Sequence, residues 1–161
     1  MHPRAQELIH LLELEPHPEG GFYRRIYRSN CLVLRKLDGN ERRSLTSIYY
    51  LLTEGSLSRW HRVLADEAWH HYEGEALQLL SFAPDGYGPI LQTLGPLQQG
   101  SQPAYVVPAG WWQAARPLGA CVLVGCTVGP GFEFEDFTLL AQLPKQDRPK
   151  IPDIADFALF V

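Results

Sequence analysis

The acid–base chemistry of this 161-residue chain is concentrated in one segment, GSLSRWHRVLADEAWHHYEG at residues 55–74, where His61 stands six residues before Glu67. An imidazole titrates near neutral pH, and a carboxylate in a protein interior needs a partner. Together they suit a general base and the group that holds it, with His61 as the natural partner of Glu67. A hydrogen-bonding structural role for His61, and a rim salt bridge from Glu67 to Arg59 or Arg62, stand beside that reading. If the segment is a strand, Glu67, Trp69 and His71 share one face, while His70 and Tyr72 face the other way. His71 then joins the interior group.

Further candidates lie outside this segment. The amide of Gln113 offers an acceptor and two donors, which orient a polar ligand or satisfy a core hydrogen bond. Trp60, Trp69, Trp111 and Trp112 can stack on a planar ligand or pack the core. Glu19, Gly20, Gly21 and Tyr23 form an elbow that either covers a pocket mouth, with Tyr23 donating a hydrogen bond, or turns the chain into its first strand. Arg24, Arg25 and Arg28 recognise an anion or protect a sheet edge against aggregation. Glu133, Glu135 and Asp136 read as a solvated acidic face, without the loop spacing of a calcium site.

Many short strands must position these groups. Thirteen prolines and fourteen glycines are spread along the chain, as suits tight turns in a sandwich or barrel. Residues 3–15 open with Pro3 and place Leu8, Leu11 and Leu12 for an amphipathic helix packed outside the barrel. The elbow at residues 16–29 leads into an aromatic strand. CLVLRKL and RRSLTSIYYLL flank Asp38-Gly39-Asn40, a hairpin signal. AWHHYEG, EALQLLSFA, PILQTLG, AYVVPAG and ACVLVGCTV read as further antiparallel strands, separated by turn residues such as Pro84-Asp85-Gly86. Residues 144–161 read as an extended arm that docks on a partner subunit.

The length suits one domain over 1–161, with a core at about residues 5–141. Fourteen basic against eighteen acidic residues, a net charge of −4, disfavour a nucleic-acid partner. No apolar run reaches the length of a membrane span, and the charge-interrupted N-terminus does not suit a signal peptide, so a cytoplasmic location is expected. Cys31, Cys121 and Cys126 are odd in number and lack a CxxC pair, consistent with reduced core residues.

The pattern G-x5-H-x-H-x3-E-x6-G of the first cupin motif is reproduced by Gly55, His61, Glu67 and Gly74, with Val63 in place of the second histidine. The second motif, P-x-G-x2-H, is met by Pro108 and Gly110, with Gln113 in the histidine place. PEGGFY, SRWHRVLADEAWHHYEG, VVPAGWWQAA and CTVGPGFEFEDF resemble the DUF985, or cupin-5, group over roughly residues 5–141. The resemblance implies an all-β, cupin-type jelly-roll barrel with a short N-terminal helix. It also implies a pocket reached by His61, Glu67 and Gln113, and a homodimer. In metal-dependent cupins three histidines and a carboxylate hold a divalent ion. Here His61, Glu67 and Gln113 imply weak metal binding at most, since Val63 cannot ligate and an amide is a poor ligand, unless His71 supplies a nitrogen.

The resemblance fixes a fold rather than a reaction. By analogy with cupins that epimerise sugars without metal, the chain reads as a small-molecule-binding protein, an isomerase or epimerase acting on a sugar-like or other small polar substrate. His61 and Glu67 are then catalytic, and Gln113, Trp69, His71, Tyr23 and Trp112 bind the ligand. A non-catalytic metabolite-binding or storage module and a metal-dependent oxygenase or hydrolase are the two alternatives.

Overall fold

A computed structural model describes all 161 residues. The chain opens with helix α1 (Pro3–Leu11), followed by strands β1 (Glu15–Pro16), β2 (Phe22–Arg28), β3 (Leu32–Leu34) and β4 (Glu41–Arg43). The long strands β5 (Thr46–Thr53), β6 (Ser58–Val63), β7 (Asp66–Gly74) and β8 (Leu77–Phe82) come next. They lead to β9 (Ile90–Leu94), β10 (Ala104–Val107), β11 (Trp112–Pro117), β12 (Cys121–Gly129) and β13 (Phe137–Leu139). A six-stranded sheet, in the order β1-β2-β5-β12-β7-β10, faces a five-stranded sheet, β13-β6-β11-β8-β9, and β3 and β4 form a separate hairpin. All ladders are antiparallel, and the two sheets make the jelly-roll barrel expected of a cupin fold.

Alternation along the central strands divides inside from outside. Thr46, Ile48, Tyr50 and Leu52 of β5, and Val122, Val124, Cys126 and Val128 of β12, share the inward parity. At one end of the barrel this face is filled by an apolar cluster that includes Leu52, Trp69, Leu77, Leu79, Leu94, Val122 and Val124. The other end is left open, and the polar residues of the site gather there.

Helix α1 lies on the outside of the six-stranded sheet, where Ala5 and Leu8 pack with Leu51, Cys121 and Leu123. His2 caps it by accepting a hydrogen bond from the Arg4 amide at 3.3 Å. The helix is shorter than the expected span of residues 3–15 and ends at Leu11, which is 61% exposed. Glu13 then takes a left-handed φ of 52°, and Glu15 and Pro16 pair with Tyr23 and Phe22. The hairpin signal at Asp38-Gly39-Asn40 closes the β3–β4 pair, as expected.

Strands β6, β11 and β13 were absent from the strands expected of the sequence. β6 and β11 are buried on both faces, so neither shows a clear polar–apolar alternation. Their outward residues, Trp60, Trp112 and Ala114, pack with Leu80, Phe82, Ile154 and Phe160. The C-terminal segment therefore folds back on its own barrel rather than extending as a free arm. Phe157 stacks on Trp60 with ring centres 5.1 Å apart, and the Trp60 indole donates to the Phe157 carbonyl at 3.2 Å. Of the three cysteines, Cys121 and Cys126 are buried and Cys31 is exposed, which corrects the expectation of three core thiols. No helix is long and apolar enough to cross a membrane.

Candidate functional site

The open end of the barrel holds a cavity of about 260 Å³. Its floor comes from the inward parity of the six-stranded sheet: Tyr23 and Arg25 on β2, Thr46, Ile48 and Tyr50 on β5, Cys126 and Val128 on β12, and Glu67 on β7. His61 and Val63 of β6 and Phe137 of β13 face it from the second sheet. Phe132 and Phe134, in the link after β12, extend the aromatic wall. Glu15, His17 and Glu19 enter from the β1–β2 elbow.

Gly20 and Gly21 make the elbow possible. Gly20 has φ 114°, and a side chain there would begin 2.0 Å from the Leu57 carbonyl oxygen. Gly21 has φ 72°, and its missing side chain would begin 2.7 Å from the Leu51 oxygen. This backbone approach, with the Tyr50 hydroxyl donating to the Gly20 carbonyl at 2.7 Å, drives Glu19 into the barrel instead of over its mouth. There Glu19 accepts from the Ser58 hydroxyl at 2.9 Å. Burial raises its pKa, and nearby His17 opposes the rise.

His61 lies 3.1 Å from Glu19 through its Nδ1, and the same nitrogen is 2.8 Å from the Arg59 carbonyl. A carbonyl only accepts, so Nδ1 carries the proton and Nε2 of the neutral ring keeps its lone pair. Burial lowers the His61 pKa, with Glu67 pulling the other way. The expected His61–Glu67 hydrogen bond is thus replaced by two separate attachments. Glu67, 7% exposed, accepts from the Gln113 amide nitrogen at 2.5 Å, and the Trp69 indole donates to the Gln113 oxygen at 3.0 Å. An indole N–H can only donate, which fixes the amide with its nitrogen toward Glu67. Burial lifts the Glu67 pKa to about 7; Glu19 adds to the rise, while His61 and Gln113 oppose it.

The structure therefore brings His61, Glu67 and Tyr23 together at the cavity. Gln113 and Trp69 lie behind Glu67, outside the cavity wall. Trp112 points to the opposite face of β11 and packs in the cluster under the C-terminal segment. His71 also lies outside the cavity. It pairs with Val124 at the apolar end of the barrel, just before a bulge at Tyr72, and its Nε2 sits 3.3 and 3.1 Å from the Gly74 and Glu75 carbonyls.

The acidic stretch after β12 is likewise not a solvated face throughout. Asp136 is 4% exposed and accepts hydrogen bonds from both Arg35 and Arg42 at 2.7–2.9 Å, while Glu133 pairs with Arg28 at 2.6 Å. Phe132, Phe134 and Phe137 were missed as site residues. Their signal was the alternation of aromatic and acidic residues in FEFEDF. The even spacing of Thr46, Ile48 and Tyr50 offered a similar one. Nothing in the sequence marked His17, which the elbow alone carries inward.

The residues present do not fit the metal of metal-dependent cupins. Val63 has no donor and both ends of the Gln113 amide are engaged within the protein, which leaves Nε2 of His61 and the Glu67 carboxyl as the donors at the motif positions. No three His, Cys, Asp or Glu side chains converge as an ion requires.

Comparison with known proteins agrees with this architecture. The family described as "Cupin superfamily (DUF985)" matches residues 6–140. A hypothetical protein from Leishmania major is 32% identical, with a TM-score of 0.78 over 83% of this chain and 85% of that one. A crystal structure from Shewanella oneidensis is 36% identical, with a TM-score of 0.76 over 91% of this chain and 98% of the other. An uncharacterized protein of Saccharomyces cerevisiae is 29% identical over 84% of this chain and 74% of its own. Oxalate decarboxylase from Bacillus subtilis, at 16% identity and a TM-score of 0.58 over 81% of this chain and 32% of its own, shares the fold alone.

Proposed function

The chain belongs to the DUF985 group of the cupin superfamily, and from that premise we propose that its cavity binds a small polar molecule and moves a proton on it without a metal. The observation that carries this reading is the meeting of two buried carboxyl groups and two imidazoles on one cavity, with the Glu67 pKa lifted to about 7. A group poised near the working pH serves equally as acid and as base.

In this scheme Nε2 of His61 takes a proton from a carbon next to a carbonyl. The C–H bond breaks, its electron pair moves into the carbonyl, and protonated Glu67 returns a proton on another face or carbon. Gln113 holds Glu67 in place, and Glu19 with the Arg59 carbonyl holds His61. The outcome is epimerisation or isomerisation. To test it, small hydroxy- and keto-compounds are incubated with the protein in D2O and followed by proton NMR. Exchange at a carbon-bound position that His61→Ala abolishes is expected. Exchange unchanged in that variant contradicts the assignment, and binding to the intact protein without any exchange marks a non-catalytic binding module.

Three coarser proposals accompany this one. One domain is expected to unfold in a single transition. The three free cysteines support a reducing compartment such as the cytoplasm. A homodimer is supported by the short cover on β2, which β1 pairs only at Phe22 and Tyr23, and by the exposed Ile26 and Tyr27 beside it. A monomer mass by light scattering overturns the dimer.

A further inference from the structure

The three arginines of β2 have different fates. Arg24 is tied to Glu13 at 2.9 Å and to the Leu12 carbonyl at 3.1 Å, and Arg28 is tied to Glu133 at 2.6 Å. Arg25 lines the cavity and has no ion pair or hydrogen bond of its own. We propose that Arg25 is an anion-binding residue, and that the natural ligand is a small molecule carrying a carboxylate or phosphate a few bonds from its reacting carbon. This deepens the proton-transfer reading and rests on it.

The sheet register sets the geometry. Arg25 pairs with Ile48, Ile48 with Cys126, and Cys126 with Trp69, and Glu67 lies one inward position along β7 from Trp69. Three interstrand steps and two residues along β7 span at most about 16 Å, and the long Arg25 side chain and the Glu67 side chain reach into that span from its two ends. What remains accommodates a short carbon skeleton, lying over Ile48 and Cys126 and under Phe132, Phe134 and Phe137. The guanidinium sits at one end and the His61–Glu67 chemistry at the other. A planar guanidinium matches carboxylate and phosphate oxygens in a two-point contact. Burial raises the Glu19 and Glu67 carboxyls above the usual carboxylate range, which weakens their repulsion of such a ligand.

The test uses three matched probes, ribose, ribonate and ribose 5-phosphate, against the intact protein and its Arg25→Gln, Arg24→Gln and Arg28→Gln variants. Titration calorimetry reads affinity, and proton NMR in D2O reads exchange. The expected result is tighter binding of at least one charged probe than of ribose. That preference should fall by about tenfold or more in Arg25→Gln and survive in the other two variants. Which charged probe wins separates phosphate from carboxylate. Equal binding of charged and neutral probes, no binding of any probe, or a preference untouched by Arg25→Gln overturns the anion site. Exchange without charge preference sinks the anion site alone, whereas charge preference without exchange sinks proton transfer alone.

Discussion

Replacing Glu67 by glutamine isolates what the site costs the fold. In the native barrel the Glu67 carboxyl titrates at about 7, against about 4.3 in an unfolded chain. Because the folded state holds this proton more tightly, stability falls as pH rises from about 4.3 to about 7 and stays at the lower level above that. The difference corresponds to about 4 kcal/mol, or roughly 8–16 °C in melting temperature for a chain of this size. The amide introduced by Glu67→Gln cannot ionise, yet its carbonyl still accepts from Gln113, so the local hydrogen bond survives. Glu19, also raised, contributes in the same direction in both proteins, and His61, lowered by burial, contributes in the opposite direction. The difference between the two stability curves therefore reports Glu67. Urea unfolding of both proteins at intervals from about pH 4.5 to about pH 8.5 should give curves that converge at acid pH. Above about pH 7 they should separate by about 4 kcal/mol, with the variant more stable. Parallel curves would refute the claim that Glu67 is a buried acid held near neutrality.

Two further substitutions probe the supports of the cavity. Asp136→Asn leaves Arg42 without its buried partner and Arg35 with only Asp38, so a loss of about 3–5 kcal/mol is expected in chemical unfolding. Phe134 and Phe137 flank this anchor, so ligand affinity should fall with it. Phe160→Ala removes a fully buried ring from the cluster over β6 and β11, at a cost of about 3–5 kcal/mol. Its tryptophan fluorescence should shift to longer wavelength as Trp60 meets water, whereas an unchanged melt would contradict the docking of the C-terminal segment.

The all-β class and most strands could be read because turn residues stand between apolar runs, as at Asp38-Gly39-Asn40. His61 and Glu67 could be read because their spacing survives in the chain. Their partners could not: Glu19 reaches His61 only because Gly20 and Gly21 let the elbow pack on the backbone at Leu51 and Leu57. Parity counting placed Trp69 and His71 on the Glu67 face, and the register keeps them there, opposite Cys126 and Val124; what parity could not give was depth, since Val124 belongs to the apolar end of the barrel, away from the cavity. The doubly buried β6 and β11 were hidden for a related reason. Their outer faces are covered by Ile154 and Phe160, far along the chain, a long-range contact that no local pattern records.

The central claim is that the side chains of this cavity move a proton unaided by a metal. The measurement that tests it most directly is deuterium exchange into a bound substrate by chelator-treated protein, with its metal content determined by elemental analysis of the same sample. The account predicts that exchange persists with only traces of metal and is lost in His61→Ala. Exchange that vanishes on chelation and returns with a stoichiometric divalent ion would contradict it.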